Sequence, residues 1–164
     1  MSSYAPPKLP PYVYGGARAL VLLHDRHLRE FFDTWGEARR AGVVLPETSD
    51  RAYASMGALL RHGLGAARGY MVWICEQLEL PDPGIEMYPD AEAMEASGEE
   101  YLEHVLQGWI RPLAGITEEQ CERPEYKSRW GTLYSIDAML EHAVMHPIRH
   151  GFQLQNLMNQ GKSR

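Results

Sequence analysis

From Gly16 onward the apolar residues recur at three- and four-residue intervals, and no stretch of any length alternates as a strand would. The first run carries Leu20, Leu23, His24, His27, Leu28, Phe31, Phe32 and Trp35, and the spacing predicts a helix that ends near Gly42. A second carries Tyr53, Met56, Leu60, Leu64, Ala67, Met71 and Ile74. Thr48, Ser49 and Asp50 offer its N-cap, and Pro81-Asp-Pro-Gly stops it. A third is expected from about Asp90 to about Leu113, with Ser97-Gly-Glu-Glu100 as an internal capping box that could break it. A long connection from Gly115 to about Gly131 contains Thr117-Glu-Glu-Gln120, another capping-box pattern. The last helix is expected from about Thr132 to about Met158. Four long amphipathic helices in one small chain have one economical arrangement, an all-α four-helix bundle around a shared apolar seam. The predicted organisation is an extended Pro-rich N-terminal arm over residues 1–14 and one bundle domain over 15–160.

The 164 residues are too few to split into two well-cored domains. A net charge of -6 and the lack of basic runs argue against nucleic acid and against an anionic membrane surface. The N-terminus has no basic stretch leading into a long apolar run, and Ala19–Leu23 is far too short to span a bilayer. Cys75 and Cys121 have no CxxC spacing, so both are read as packed thiols in a reducing cytoplasm rather than as a disulfide or thiolate site.

The seven histidines are the informative part. On the last helix, His146 and His150 are four apart and project from one face about 40° apart, within the otherwise apolar stripe Met139, Ala143, Gln153, Leu157. Each imidazole has a donor and an acceptor to satisfy, and a metal ion satisfies two inward rings at once. A third ligand must come from another helix. His62 is the best candidate, flanked by Gly63, Gly65 and Ala66, which leave room for a neighbour or a ligand. A lone His62 would more often be a core histidine, and the pair alone suits a solvated face as well as a ligand set. Taken together on two helices, the three point to one divalent ion.

His142 lies about 80° around from His150 and is read as supporting a ligand from behind, lining the pocket, or simply exposed. Gln153 could orient a ligand or a ring. His24 and His27 are read as pocket lining and His104 as a surface residue. Trp73, Trp130 and Tyr134 suit a pocket wall or the core equally. None of the histidines follows a Glu by three positions, and His-Glu-x-x-His is absent, so di-iron bundle and zincin patterns both fail. Pro147 cannot donate to Ala143 and should bend the last helix.

The segments Leu59-Leu-Arg-His62-Gly-Leu-Gly-Ala-Ala-Arg68 and Met139-Leu-Glu-His142-Ala-Val-Met-His146-Pro-Ile-Arg-His150-Gly-Phe-Gln153, in this order and with the long third connection, resemble the DinB/YfiT-like family of metal-binding four-helix bundles. The resemblance implies a three-histidine site at His62, His146 and His150 holding Zn²⁺ or Ni²⁺ with an open position. It also implies homodimers, and either transfer of a low-molecular-weight thiol or hydrolysis. Relatives often carry Arg-Gly-Gln after the last ligand, where this chain has Gly151-Phe152-Gln153.

Three neutral imidazoles leave an ion doubly charged with a free position, the arrangement of catalytic zinc. Such an ion lowers the pKa of bound water to about 7 or holds a thiol as thiolate, so thiol attack on an electrophile and hydrolysis of an ester or amide both follow. The resemblance favours thiol transfer to a small-molecule substrate. Glu141 and Asp137 lie on the same helix but on another face, so no general base is evident, which weakens the hydrolase alternative. A non-catalytic bundle that binds a metal or small ligand in a stress response is the rival. Imidazole suits Zn, Ni, Cu and Fe, so spacing does not choose the metal.

Overall fold

The computed structural model describes residues 4–123 and 125–162. The chain is predominantly helical, as the apolar spacing predicts. It runs α1 (Gly15–Arg40), a 3-10 turn (Arg51–Tyr53), α2 (Met56–Gln77), α3 (Ala91–Trp109), a short α4 (Glu118–Glu122), β1 (Tyr126–Lys127), β2 (Leu133–Tyr134) and α5 (Ile136–Lys162). No helix among the described residues is long and apolar enough to cross a membrane.

Local chemistry sets the helix ends, and several differ from the predicted ones. α1 closes in a Schellman motif: Gly42 takes φ 66° while Val43 N–H donates to Ala38 O and Gly42 N–H to Arg39 O. α2 starts later than Thr48–Asp50, because Asp50 caps the separate 3-10 turn and Ser55 Oγ accepts the Ala58 N–H at 3.0 Å. α2 also ends in a Schellman arrangement, with Leu80 N–H on Cys75 O, but the left-handed residue is Glu79 at φ 52°. Asp90 caps α3, as expected, through the Ala93 N–H. Ser97 does not break that helix, since its hydroxyl donates back to Ala93 O. The Thr117/Gln120 capping box forms and starts α4. α5 begins four residues after Thr132, where Ser135 Oγ accepts the Ala138 N–H, and it runs on through Pro147. Thr132–Ser135 is instead occupied by a small antiparallel hairpin, Tyr126 opposite Tyr134. Two residues per strand are too few to show alternation in a sequence.

α5 lies chiefly along α1, while α2 packs on α3 and on α5. The shared core takes Leu28 and Phe31 from α1, Leu60, Leu64 and Met71 from α2, Met94, Val105 and Trp109 from α3, and Leu140, Ala143 and Leu154 from α5. Buried indoles find partners: Trp109 Nε1 donates to Ala67 O and Trp35 Nε1 to Met56 O. Close approach relies on glycine. A Cβ at Gly63 would sit 2.5 Å from the Phe31 ring, and one at Gly57 would sit 2.1 Å from the Ala91 carbonyl oxygen. Residues 4–14 precede α1 and are tied across the molecule: Tyr12 Oη donates to Ile110 O, Val13 N–H to Ala114 O, and Tyr14 Oη to Asp137 Oδ2.

Candidate metal centre

The four-residue spacing on α5 puts His146 and His150 side by side, their ring centroids 4.7 Å apart, and both are buried. α2 packs across α5 so that His62 meets them. His62 Nε2 lies 3.0 Å from His146 Nε2, and its ring stands edge-on to His150 at 5.0 Å between centroids. One ring nitrogen from each of the three residues lies within 4.8 Å of the others, so the cluster could hold a metal ion. Metal–nitrogen bonds of about 2.0–2.1 Å at tetrahedral angles separate ligand atoms by about 3.3 Å. The His62–His146 pair is already at that spacing, and His150 needs a small ring rotation to join it.

Hydrogen bonding selects the nitrogen that His150 offers. Its Nδ1 is 3.0 Å from Gln153 Oε1, which only accepts, so Nδ1 carries the proton. Nε2 is left with a free lone pair, buried and without a hydrogen-bond partner. Tyr53 Oη sits 3.2 Å from His150 Nδ1 and donates to Gln153 Oε1, fixing that amide. His146 Nδ1 is likewise buried without a partner. The 3.0 Å His62–His146 contact also suits a hydrogen bond, but it leaves His150 Nε2 without a partner, which a cation among the three rings would supply.

The rings are held neutral, the form that ligates. Burial, then the neighbouring His150 and His62, pushes His146 down to about 2. Burial, then His62, brings His150 down to about 4, with Gln153 opposing. Desolvation of its inward ring end lowers His62, and Asp50 pulls the other way.

His62 is the exposed member and lines a cavity of about 670 Å³ along α2, walled by Tyr70, Trp73, Tyr88 and Trp130. His146 and His142 line a second cavity of about 400 Å³ with Arg149 and Phe152. The small residues beside His62 make room for aromatic rings rather than for a neighbouring backbone: Phe31 over Gly63 and Tyr88 over Gly65.

His142 stands outside the cluster, between Tyr70 at 5.5 Å, Trp130 at 5.4 Å and Tyr134 at 6.1 Å. His24 is not pocket lining. It is 0% exposed, stacked on Trp109 at 3.6 Å with neither nitrogen hydrogen-bonded, and burial brings its pKa down to about 3. His27 is half-buried and pairs with Glu30 at 2.7 Å on α1. His104 is half-buried rather than on the surface, its Nε2 accepting the Glu86 N–H at 2.9 Å. Asp137 serves Tyr14, and Glu141 is exposed. Tyr53 is the contributor that spacing misses, because its apolar periodicity fits α2 while the residue sits on the preceding turn.

No protein-family model, no curated protein and no solved structure matches the chain.

Proposed function

We propose that this chain is a DinB/YfiT-like four-helix bundle in which His62, His146 and His150 hold one divalent ion, zinc or nickel. We further propose that it transfers a low-molecular-weight thiol to an electrophilic small molecule. The observation that carries the metal reading is His150 Nε2: a buried nitrogen with no hydrogen-bond partner, on a ring whose centroid lies 4.7 Å from that of His146 and 5.0 Å from that of His62. Such an ion supplies a Lewis acid that favours the thiolate of a bound thiol and lowers the pKa of water.

The chain's own residues have definite tasks in this scheme. Gln153 and Tyr53 hold His150 in one tautomer and orientation, which raises its quality as a donor. Tyr70, 5.8 Å from His146, stands between the cluster and the cavity along α2, whose wall it forms. The cavity beside His62 admits the substrate. Thiol transfer rests on the family resemblance. Hydrolysis has less support, because the two carboxylates lining that cavity, Asp50 and Asp90, each accept a backbone N–H at the start of a helical turn. The resemblance also implies a homodimer, which light scattering can check, and the sparse cysteines without CxxC spacing favour a reducing cytoplasm.

Metal analysis of the purified protein should find one ion per chain, and His146→Ala should abolish it while helix content by circular dichroism stays near the parent's. Collapse of the fold instead would make the ion structural. Turnover of a generic electrophile with a panel of cellular thiols should depend on that ion. A metal-loaded protein inert to the whole panel would be a binder rather than a transferase.

A further inference from the structure

The cavity along α2 carries a charge pattern that the metal reading does not use. His62, Ala66, Gly69, Tyr70 and Trp73 share one face of α2, and the small residues among them form its floor. From His62 to Gly69 is seven residues, about 10 Å along the helix axis. Over Gly69 lies Arg129, its Nη1 3.6 Å from where a Cβ would stand.

A built turn fixes the backbone of Arg129, whose side chain is exposed. Ser128 is buried and closes it, with Ser128 N–H on Thr132 O at 2.8 Å and Thr132 N–H on Ser128 Oγ at 3.1 Å, while Gly131 takes φ 91°. Trp73 Nε1 donates to Lys127 O and fastens the hairpin to α2. Of the neighbouring cations, Arg61 is committed to Pro89 O and the face of Tyr88 and Arg68 to the carbonyls of Ile85 and Glu86, while Arg51 also lines the cavity uncommitted. Arg129 has no carboxylate or hydrogen-bond partner among the described residues. Asp50 and Asp90, the acids that line the cavity, are occupied as caps. In a chain of net charge -6, a positioned and unpaired guanidinium over an aromatic-walled cavity is a feature that surface statistics do not explain.

We propose that this cavity selects small molecules with an anionic terminus, a carboxylate or a phosphate, on a flat apolar body, and that Arg129 takes the anion while the far end reaches His62. The orientation toward His62 rests on the metal reading; anion capture by Arg129 does not. Trp130, half exposed, supplies a face for the apolar body, and a bidentate guanidinium suits either anion.

Chemical-shift titrations of the full chain, chelator-treated and zinc-loaded, with 3-phenylpropionate, phenylphosphonate and the neutral 3-phenylpropionamide test this. One or both acids should bind at least about tenfold tighter than the amide, as a charge-assisted pair requires. The stronger acid identifies the anion. In Arg129→Gln that preference should shrink to about twofold, with an unchanged thermal midpoint showing that the fold is intact. In Arg51→Gln, which alters the other uncommitted cation of the lining, it should persist. Equal binding of acid and amide by the parent, no binding of any probe, or a preference kept by Arg129→Gln and lost in Arg51→Gln would overturn the proposal. Anion preference without uptake of zinc would leave the groove standing and remove the metal reading. One equivalent of zinc without anion preference would do the reverse.

Discussion

His24 should make the fold acid-sensitive by an amount that can be isolated. Its ring is fully buried against Trp109 with no polar partner, and burial holds its pKa at about 3 in the folded chain, against about 6.5 when unfolded. Above pH 6.5 neither state binds the proton, so His24 contributes no pH dependence. Below pH 6.5 the unfolded chain is protonated and the folded one is not, so stability falls tenfold per pH unit until about pH 3. Between pH 6.5, where the unfolded ring is already half protonated, and pH 4.5 that is about fiftyfold, or about 2 kcal/mol, a large share of the roughly 5–15 kcal/mol that holds a domain of this size together. His146 and His150 act in the same direction, so the parent's total acid loss exceeds this. His24→Phe keeps an aromatic ring on Trp109 and removes only the His24 proton. Urea unfolding of both proteins at constant ionic strength should therefore show the stability difference moving by about 2 kcal/mol in favour of the variant from pH 6.5 to 4.5. The fixed offset from packing and from two lost orphan nitrogens does not vary with pH. A pH-independent difference would mean that His24 takes up its proton equally in both states, and the argument from burial would be wrong.

Glu79→Gly should stabilise the chain by about 0.5–1 kcal/mol, since the end of α2 holds a side chain at φ 52°; a thermal midpoint that falls would show the strain is absent. Gly57→Ala should cost at least about 2 kcal/mol, because its Cβ meets the Ala91 backbone oxygen at 2.1 Å and the start of α3 must move. Gly69→Ala, with an ordinary 3.6 Å contact, should instead gain up to about 1 kcal/mol from helix propensity, and denaturant midpoints of the pair check both. Tyr53→Phe should weaken zinc binding about tenfold in chelator competition with the fold unchanged. An unaltered affinity would show that Gln153 suffices to hold His150.

The helices were legible because each buries a continuous face, which imposes a period on the sequence: Leu60, Leu64 and Met71 lie on the core side of α2, as their spacing requires. The three-histidine cluster was legible for a related reason. His146 and His150 interrupt an apolar stripe at one helical turn, and His62 stands among small residues. What stayed hidden depends on where helices start and on contacts distant in sequence. Ser135 and Ser55 act as caps in competition with equally plausible neighbours, and only the packed chain decides between them. Tyr53 reaches His150 across 97 positions, and Arg129 reaches α2 from a hairpin whose strands are two residues long. His24 misleads in the opposite sense. A polar residue on an inward face suggests a pocket, yet the ring is used as a flat filler against Trp109.

Three consecutive residues, Tyr12, Val13 and Tyr14, bond to Ile110, Ala114 and Asp137, so the leading segment staples the far end of α3 to the beginning of α5. Truncation and fusion designs inherit that fact. Trimming through Pro11 removes no part of the staple, whereas trimming through Tyr14 cuts all three ties and frees the Ala114 and Ile110 carbonyls at once. An affinity handle joined directly ahead of Tyr12 is thus tolerable in principle, and one grafted in place of residues 12–14 is not.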